Sequence, residues 1–225
     1  MKPVTWLFLD CFNTLLDEAD GLTHQSGMEP IADIPVAHGL FGSEEAFLQT
    51  YLAWRRSAWS GPEYPEMCLH ERLSRLLRGD AGAAATEMVA RFEANYVHTL
   101  TPTPGIHEAI DALSGRFRLG VVSNFIHPGM PRQLLEHFDL MRQVEFVLDS
   151  SEFGYKKPDA RIYAEALRLS GSKPEDVMFV GDSLRNDVQA PIAFGMQAVW
   201  FDRHARGSPD GVTAFTEWEG FPLLN

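Results

Sequence analysis

The first residue that can do chemistry is Asp10, which ends the apolar run VTWLFLD at the end of a predicted strand. A carboxylate with an ordinary pKa of ~3.9 is ionised at neutral pH. It can therefore attack phosphorus or an activated carbon without help from a base. We take Asp10 as a candidate nucleophile. The alternative is an aspartate that only caps the loop after the strand.

Two further aspartates stand in the stretch GDSLRND, where another apolar run ends. Asp182 ends the predicted strand, and Asp187 falls in the first turn of the helix that follows, within reach of a common ion. Together with Asp10 they supply the oxygen ligands that Mg²⁺ prefers. Such an ion would neutralise the repulsion between Asp10 and a phosphate dianion. The alternative for Asp187 is that it only stabilises a helix N-terminus.

Three polar or cationic side chains follow other predicted elements. Lys157 precedes Pro158 in GYKKPD, at the entrance to a helix, where its ammonium suits a phosphate or the Asp10 carboxylate. Ser123 and Asn124 end the run LGVVSN, so their hydroxyl and amide are candidates for binding phosphoryl oxygens. Both could instead simply end the strand and cap the next turn. Lys156 is expected to be a solvated surface lysine.

The elements that must position these residues are five short, nearly continuous apolar runs, which predict strands covered on both faces, at 4–10, 119–124, 145–150, 177–183 and 197–202. Helix-like segments lie between them at 107–116, 131–138, 160–170 and 186–195. This alternation predicts an α/β fold with a doubly wound parallel sheet. Ligands gather at the carboxyl ends of such strands, where we expect Asp10, Ser123, Asp149 and Asp182 to share a site.

Residues 17–100 carry no convincing strand. Three segments there have apolar residues near helical spacing, namely EEAFLQTYLAWRRSAW, EMCLHERLSRLLR and TEMVARFEANYVHTL. We interpret 17–100 as an all-helical domain inserted into a core domain formed by 1–16 and 101–225. Arg55 and Arg56 could point at a substrate or at water, and we expect them to face water.

The segments LDCFNTLL, VVSN, GYKKPD and GDSLRND, in this order and with a helical insertion after the first, resemble the haloacid dehalogenase-like (HAD) superfamily of aspartate-nucleophile hydrolases. The resemblance covers nearly the whole chain. The position of the insertion resembles the C1 type of cap found in subfamily I. The resemblance therefore implies a Rossmann-like core, a capping helical domain that sets selectivity, and a small-molecule substrate. Substrate contacts are then expected in the loop from Gly21 to Gly42.

The resemblance also assigns roles to particular residues. Asn13 and Thr14 match the first motif and support Asp10 as the nucleophile. The lysine directly before proline, Lys157, takes the functional role of its pair. The main-chain carbonyl of Phe12 joins the implied Mg²⁺ ligands Asp10, Asp182 and Asp187.

Phe12 departs from the pattern of the phosphatases in this superfamily, which typically carry there a second aspartate that protonates the leaving oxygen and later activates water. The dehalogenases also lack this aspartate, because halide leaves without a proton. However, they need no metal and tend to replace the glycine-aspartate pair of the fourth motif, which this chain keeps as Gly181 and Asp182. General acid–base assistance supplies ~10² to 10⁴ in rate, against total accelerations of up to ~10²¹ for phosphate monoester hydrolysis. Losing the second aspartate would therefore slow a phosphatase without abolishing it.

The sequence thus predicts a Mg²⁺-dependent phosphatase of a small phosphorylated metabolite that acts through an aspartyl-phosphate. The alternatives are a 2-haloacid dehalogenase-type hydrolase and a non-catalytic phosphate-binding module. The net charge of −12 over 225 residues argues against nucleic-acid and anionic-membrane partners. Two cysteines without paired spacing, and no apolar run of membrane-spanning length, predict a soluble cytoplasmic protein. Nothing in the sequence indicates an oligomeric state.

Overall fold

The structure is a computed structural model that describes residues 3–19, 27–58, 63–77 and 81–224. Its strands are β1 (Trp6–Leu9), β2 (Leu16–Glu18), β3 (Leu100–Pro102), β4 (Arg118–Ser123), β5 (Val144–Asp149), β6 (Val177–Gly181), β7 (Gln197–Phe201) and β8 (Ala214–Phe215). Its α-helices are α1 (Asp33–Ala37), α2 (Glu44–Ala58), α3 (Leu69–Leu77), α4 (Gly82–Tyr96), α5 (Ile106–Ser114), α6 (Met130–His137), α7 (Ser150–Phe153), α8 (Ala160–Ser170) and α9 (Ala190–Ala193).

A parallel sheet of six strands forms the centre of the fold, in the order β5, β4, β1, β6, β7, β8. The chain builds outward from β1 to β5 on one side and then returns to add β6 to β8 on the other. The order therefore reverses at β1, between its neighbours β4 and β6. In open α/β sheets this switch point is where ligands bind, at the carboxyl ends of the strands. Asp10, Ser123 and Asp182 lie at the ends of these three strands.

Helices cover both faces of the sheet, as the continuous apolar strands predict. Along β1 the side chains alternate: Leu7 and Leu9 join one buried cluster, which includes residues of α5 and α6. Trp6 and Phe8 join a second cluster, on the opposite face, which includes residues of α8. The predicted doubly wound α/β fold is confirmed. It fixes β1, and with it Asp10, between two apolar layers.

The five predicted strands correspond to β1, β4, β5, β6 and β7, and three of the predicted helices correspond to α5, α6 and α8. The predicted helix at 186–195 differs in kind, because it begins as a π-helical turn, Leu184–Gln189, and continues as α9. The Ser183 side chain caps this turn by accepting a hydrogen bond from the amide of Asn186. Single π-helical turns are rare and occur frequently at functional sites.

The helical segments predicted within 17–100 are present as α2, α3 and α4. The prediction that this interval contains no strand was wrong at its two ends, because β2 and β3 pair antiparallel there, with Leu16 opposite Pro102 and Glu18 opposite Leu100. Strands of three residues carry too little periodicity to be read from sequence. The predicted domain boundaries, after residues 16 and 100, fall inside this strand pair.

One apolar cluster runs from the helices after β2 into the layer beneath the sheet: Leu73 and Met88 belong to the same cluster as Leu9 and Ile110. Burying apolar side chains against each other is the main favourable term in such packing. In the part of the chain that the structure describes, every helix is too short or too polar to cross a bilayer.

Candidate active site

Lys157 joins two aspartates that the sequence separates widely. Its ammonium donates to Asp10 Oδ1 at 2.6 Å and to Asp187 Oδ1 at 2.7 Å. The Lys157 side chain is 2% exposed. Burial acts to lower the pKa of Lys157, but the attraction of Asp10 and Asp187 outweighs it and leaves this pKa raised. The lysine is therefore a permanent positive charge beside the candidate nucleophile.

The three predicted acidic ligands converge. Asp10, Asp182 and Asp187 each offer a carboxylate oxygen, and these oxygens lie within 4.8 Å of one another. Burial, followed by the repulsion of Asp10, raises the pKa of Asp182 above its usual range. Burial likewise raises the pKa of Asp187, although Lys157 opposes the shift. One lysine cannot neutralise three carboxylates, so this all-oxygen set fits a hard divalent cation such as Mg²⁺.

Gly181 leaves space for this cluster, and Thr14 holds its loops together. A Cβ atom on Gly181 would lie 2.5 Å from the carboxyl carbon of Asp187, so only glycine fits there. Thr14 donates to Asp10 Oδ2 at 3.3 Å and accepts from the amide of Asp182 at 3.1 Å. Thr14 thus ties the loop after β1 to the loop after β6. Thr14 matches the first motif in the sequence but was not among the predicted site residues. Its place in that motif was the signal that could have identified it as a site residue.

The two residues predicted to bind a phosphoryl group differ in their surroundings. The hydroxyl of Ser123 is buried and has no hydrogen-bond partner in the described structure. The Asn124 amide, by contrast, pairs with the main chain of Lys157: it donates to the carbonyl at 2.8 Å and accepts from the N–H at 2.8 Å. Ser123 is thus free to bond a ligand, whereas Asn124 holds Lys157 in place.

Asp149 does not join the site, contrary to the expectation from its strand end. Its carboxylate caps α7 by accepting from the amide and the hydroxyl of Ser151, both at 2.9 Å. It also accepts from the amide of Gly129 at 2.9 Å. A carboxylate at a strand end is therefore not certain to join the site, because nearby N–H groups compete for it.

Phe12 faces other aromatic rings. Its ring stacks on Phe125 with centroids 4.5 Å apart, and Phe125 packs against Tyr96 at 5.1 Å. Tyr96 in turn stacks on Phe92 at 5.2 Å. We call these four residues the aromatic wall, and all four line one cavity. The position that carries the second aspartate in related phosphatases therefore presents an apolar surface.

This cavity has a volume of about 820 Å³. It is lined by residues from loops of the sheet and by residues of helices α2 to α4. Lys157 and Asn124 lie on its wall together with Tyr51 and Arg55 of α2. Residues 21–26 of the loop predicted to contact substrate lie outside the described residues, and Met28 from the same loop lines the cavity.

Two basic residues expected to face water face the cavity instead. Lys156 lines it, with a side chain 20% exposed, and burial lowers the pKa of Lys156 to about 8. Arg55 also lines it, and burial lowers the pKa of Arg55. Arg56 is exposed, as expected. The sequence could not separate these neighbours, because direction around a helix depends on what packs against it.

Comparison with known proteins places the chain in a family. It matches the haloacid dehalogenase-like hydrolase model over residues 4–195, so the chain belongs to this family and is a hydrolase. The glyceraldehyde 3-phosphate phosphatase of Pyrococcus furiosus is 31% identical over 204 residues, which cover 89% of this chain and 82% of that enzyme. Several other curated relatives, named as nucleotidases and phosphatases, are matched over less than two thirds of their own length.

Two solved structures share the fold. The 2-haloacid dehalogenase of Pseudomonas syringae pv. Tomato superimposes with a TM-score of 0.76 at 20% identity, over 98% of this chain and 97% of that one. The HAD-hydrolase YfnB of Bacillus subtilis, bound to magnesium, gives a TM-score of 0.65 at 18% identity over the full length of both chains. At this identity the likeness establishes the α/β fold, and the chemistry must come from the site.

Proposed function

We propose that the protein is a Mg²⁺-dependent phosphatase that acts on a small phosphorylated metabolite through an aspartyl-phosphate on Asp10. The observation that carries this proposal is the convergence of Asp10, Asp182 and Asp187 within 4.8 Å. Three carboxylates kept this close in a mostly buried place repel each other, and a bound divalent cation removes that repulsion. The family likeness to a named phosphatase supports the same class of reaction.

In this mechanism a carboxylate oxygen of Asp10 bonds to phosphorus while the bond from phosphorus to the leaving oxygen breaks. Water then attacks the aspartyl-phosphate and regenerates the free Asp10 carboxylate, with release of inorganic phosphate. Asp10, Asp182, Asp187 and the Phe12 carbonyl would hold Mg²⁺, which when bound would neutralise charge on the phosphoryl oxygens. Lys157 orients the carboxylate of Asp10 by the 2.6 Å hydrogen bond.

Ser123 supports the placement of the phosphoryl group, because its buried hydroxyl has no described partner and stands at the end of β4, beside β1. A bound phosphoryl oxygen would satisfy that hydroxyl. Asn124 acts one step further away, by fixing the main chain of Lys157. We therefore assign phosphoryl contact to Ser123 and Lys157, and a positioning role to Asn124.

The aromatic wall restricts the leaving group. Phe12 cannot donate a proton, so the leaving oxygen must depart without protonation by this residue. Losing general acid assistance costs least when the leaving group is the anion of a stronger acid, as in acyl and aryl phosphates. We therefore expect the enzyme to favour acyl and aryl phosphates over alkyl phosphates.

The direct test is phosphate release from acetyl phosphate and from 4-nitrophenyl phosphate, each with Mg²⁺ and with EDTA. We expect turnover only with Mg²⁺, and its loss in Asp10→Asn. Asp149→Asn is the matched control, since it removes a strand-end carboxylate outside the site. Turnover that survives in Asp10→Asn, or that ignores EDTA, would reject the proposal. A protein that binds these two phosphates without turnover would be a binding module.

The second candidate is a 2-haloacid dehalogenase-type hydrolase, in which Asp10 attacks carbon. The aromatic ring at position 12 favours it, because halide needs no proton to leave. Halide release from 2-chloropropionate in the presence of EDTA is its distinguishing result. The three carboxylates argue against it, since a reaction without a metal gains nothing from their mutual repulsion.

A further inference from the structure

The cavity beside the candidate active site is basic, although the chain as a whole is acidic. Among its described lining residues five are cationic and three are anionic, whereas the net charge of the chain is −12. The cationic residues are Arg55, Arg72, Lys156, Lys157 and Arg185. A concave surface with an excess of one charge concentrates ligands of the opposite charge.

Two of the three anionic residues already have cationic partners. Glu66 forms a buried ion pair with Arg72 and lies 3.6 Å from the ammonium of Lys156. Glu63 lies 3.6 Å from Arg161. The third, Glu18, accepts hydrogen bonds from the Tyr96 hydroxyl and from Asn13. These residues are therefore held in contacts of their own.

Arg55 is different, since its guanidinium makes no hydrogen bond or ion pair with any described residue. It stands on α2, is partly buried, and lines the cavity. Burial and the neighbouring charge of Arg72 disfavour its charged form, while Glu66 and Tyr51 favour it. A partly buried arginine normally has an acceptor, because its five N–H groups lose water without compensation otherwise.

We propose that Arg55 binds a carboxylate carried by the leaving group of the substrate, so that the substrate class is phosphorylated carboxylic acids. The planar guanidinium fork matches the two oxygens of a carboxylate, which can accept two parallel hydrogen bonds. Lys156 adds a second positive charge to the same cavity. This inference rests on the proposed function for the phosphoryl end of the substrate, and it adds a second point of recognition.

The experiment compares matched pairs of substrates with the full chain and Mg²⁺. The phosphate esters of ω-hydroxy carboxylic acids with two, three and four carbons are each compared with the alkyl phosphate of equal length. We expect at least one carboxylate ester to exceed its alkyl partner about tenfold or more in kcat/KM. The chain length with the highest kcat/KM indicates the distance between the phosphoryl site and the carboxylate site. Alkanediol bisphosphates of equal length distinguish a second phosphate from a carboxylate.

The variant Arg55→Gln is expected to lower kcat/KM for the preferred carboxylate ester about 10- to 100-fold, mainly through KM, as hydrogen bonds to charged groups imply. The alkyl phosphate should change less than about twofold. Arg56→Gln, which removes the exposed neighbour on the same helix, is the matched control for both substrates. Arg55→Lys keeps the charge without the fork and should fall between the wild type and Arg55→Gln.

A binding measurement separates this inference from the proposed function. Isothermal titration of Asp10→Asn, with and without Arg55→Gln, uses the same esters and does not depend on turnover. Tighter binding of a carboxylate ester that Arg55→Gln removes would support the inference even if no ester is hydrolysed. Equal binding of the paired esters, a preference for bisphosphates over carboxylates, or no binding of any member overturns it.

Discussion

The cluster around Asp10 and the cavity wall around Arg55 differ in whether their cationic residue has a partner. In the cluster, Lys157 contacts two carboxylates at 2.6 and 2.7 Å, and Thr14 and Asn124 hold the participating loops. On the cavity wall, Arg55 has no described partner. The cluster is preorganised by the fold, which lowers the cost of aligning groups during reaction. The charge of Arg55 on the cavity wall is available to bind a ligand, as recognition of a substrate requires.

The two regions also differ in the origin of their residues. The cluster comes from loops at the ends of β1 and β6 and from the segment before α8, and the rigid sheet fixes their separation. Arg55 comes from α2, in the helices between β2 and β3. Under the proposed function, the sheet would determine the reaction and the helices would determine substrate choice. Three variants test this comparison, and a fourth tests a carboxylate outside both regions.

The largest effect is expected from Lys157→Gln, which leaves Asp10 and Asp187 without their buried cation. Breaking such a pair typically costs about 3–5 kcal/mol of stability, because uncompensated charge stays buried. We expect kcat to fall about 10²- to 10³-fold, as removal of one electrostatic donor does elsewhere. Phosphate release and thermal unfolding measure the two effects.

The control for this variant is Lys173→Gln, which removes an exposed lysine outside the cluster. We expect Mg²⁺ to raise the melting temperature of Lys157→Gln more than that of the wild type, since the ion then carries the whole neutralisation. A variant with normal kcat would show that Lys157 is structural only.

The next effect is expected from Gly181→Ala, because its Cβ would lie 2.5 Å from the carboxyl carbon of Asp187. Displacing Asp187 separates the carboxylates, so the Mg²⁺ concentration needed for half-maximal activity should rise about tenfold or more. Overpacking should also cost about 1–3 kcal/mol of stability. Gly82→Ala is the matched control, since nothing lies within 4 Å of its added Cβ. Equal Mg²⁺ dependence in the two variants would contradict the prediction.

An effect of opposite sign is expected from Phe12→Asp. The new carboxyl group would supply the missing acid, so hydrolysis of an alkyl phosphate should rise up to about 100-fold relative to that of 4-nitrophenyl phosphate. The ring of Phe125, now 4.5 Å away, would lose its stacking partner. Phe12→Leu removes the same ring without adding an acid and is the control. An unchanged ratio of the two substrates in Phe12→Asp would mean that position 12 does not face the leaving oxygen.

The smallest effect is on stability and comes from Asp149, outside both regions. Burial raises the pKa of Asp149 to about 6, although hydrogen bonds from Ser151 and Gly129 oppose the shift. The unfolded value is ~3.9. Between these values the folded state binds more protons than the unfolded state, so stability should fall by about 2 kcal/mol as pH rises from 4 to 7.

Denaturant unfolding at each pH measures this slope as the difference between the wild type and Asp149→Asn. The asparagine variant keeps an acceptor for the α7 cap but cannot titrate. Its stability relative to the wild type should therefore increase between about pH 4 and pH 6 and level off above that range. Parallel profiles for the two proteins would show that Asp149 is ionised in the fold without penalty.

Local sequence patterns were enough to predict the sheet and the residues at its strand ends. Continuous apolar runs are a local signal, and a parallel sheet brings the carboxyl ends of its strands to one edge, so the approach of Asp10, Asp182 and Asp187 was predictable. The same local signal located the helices that became α2, α3 and α4.

Which long side chains face the cavity depends on tertiary packing, and local patterns did not predict it. Arg55 and Arg56 are chemically identical neighbours, and Lys156 stands beside Lys157. The sequence did not predict that Arg55 and Lys156 line the cavity. Competition for partners from distant segments also decided that Asp149 caps α7 and that the Asn124 amide pairs with Lys157. Periodicity is a property of neighbours along the chain, whereas burial and hydrogen bonding depend on what the rest of the fold brings against them.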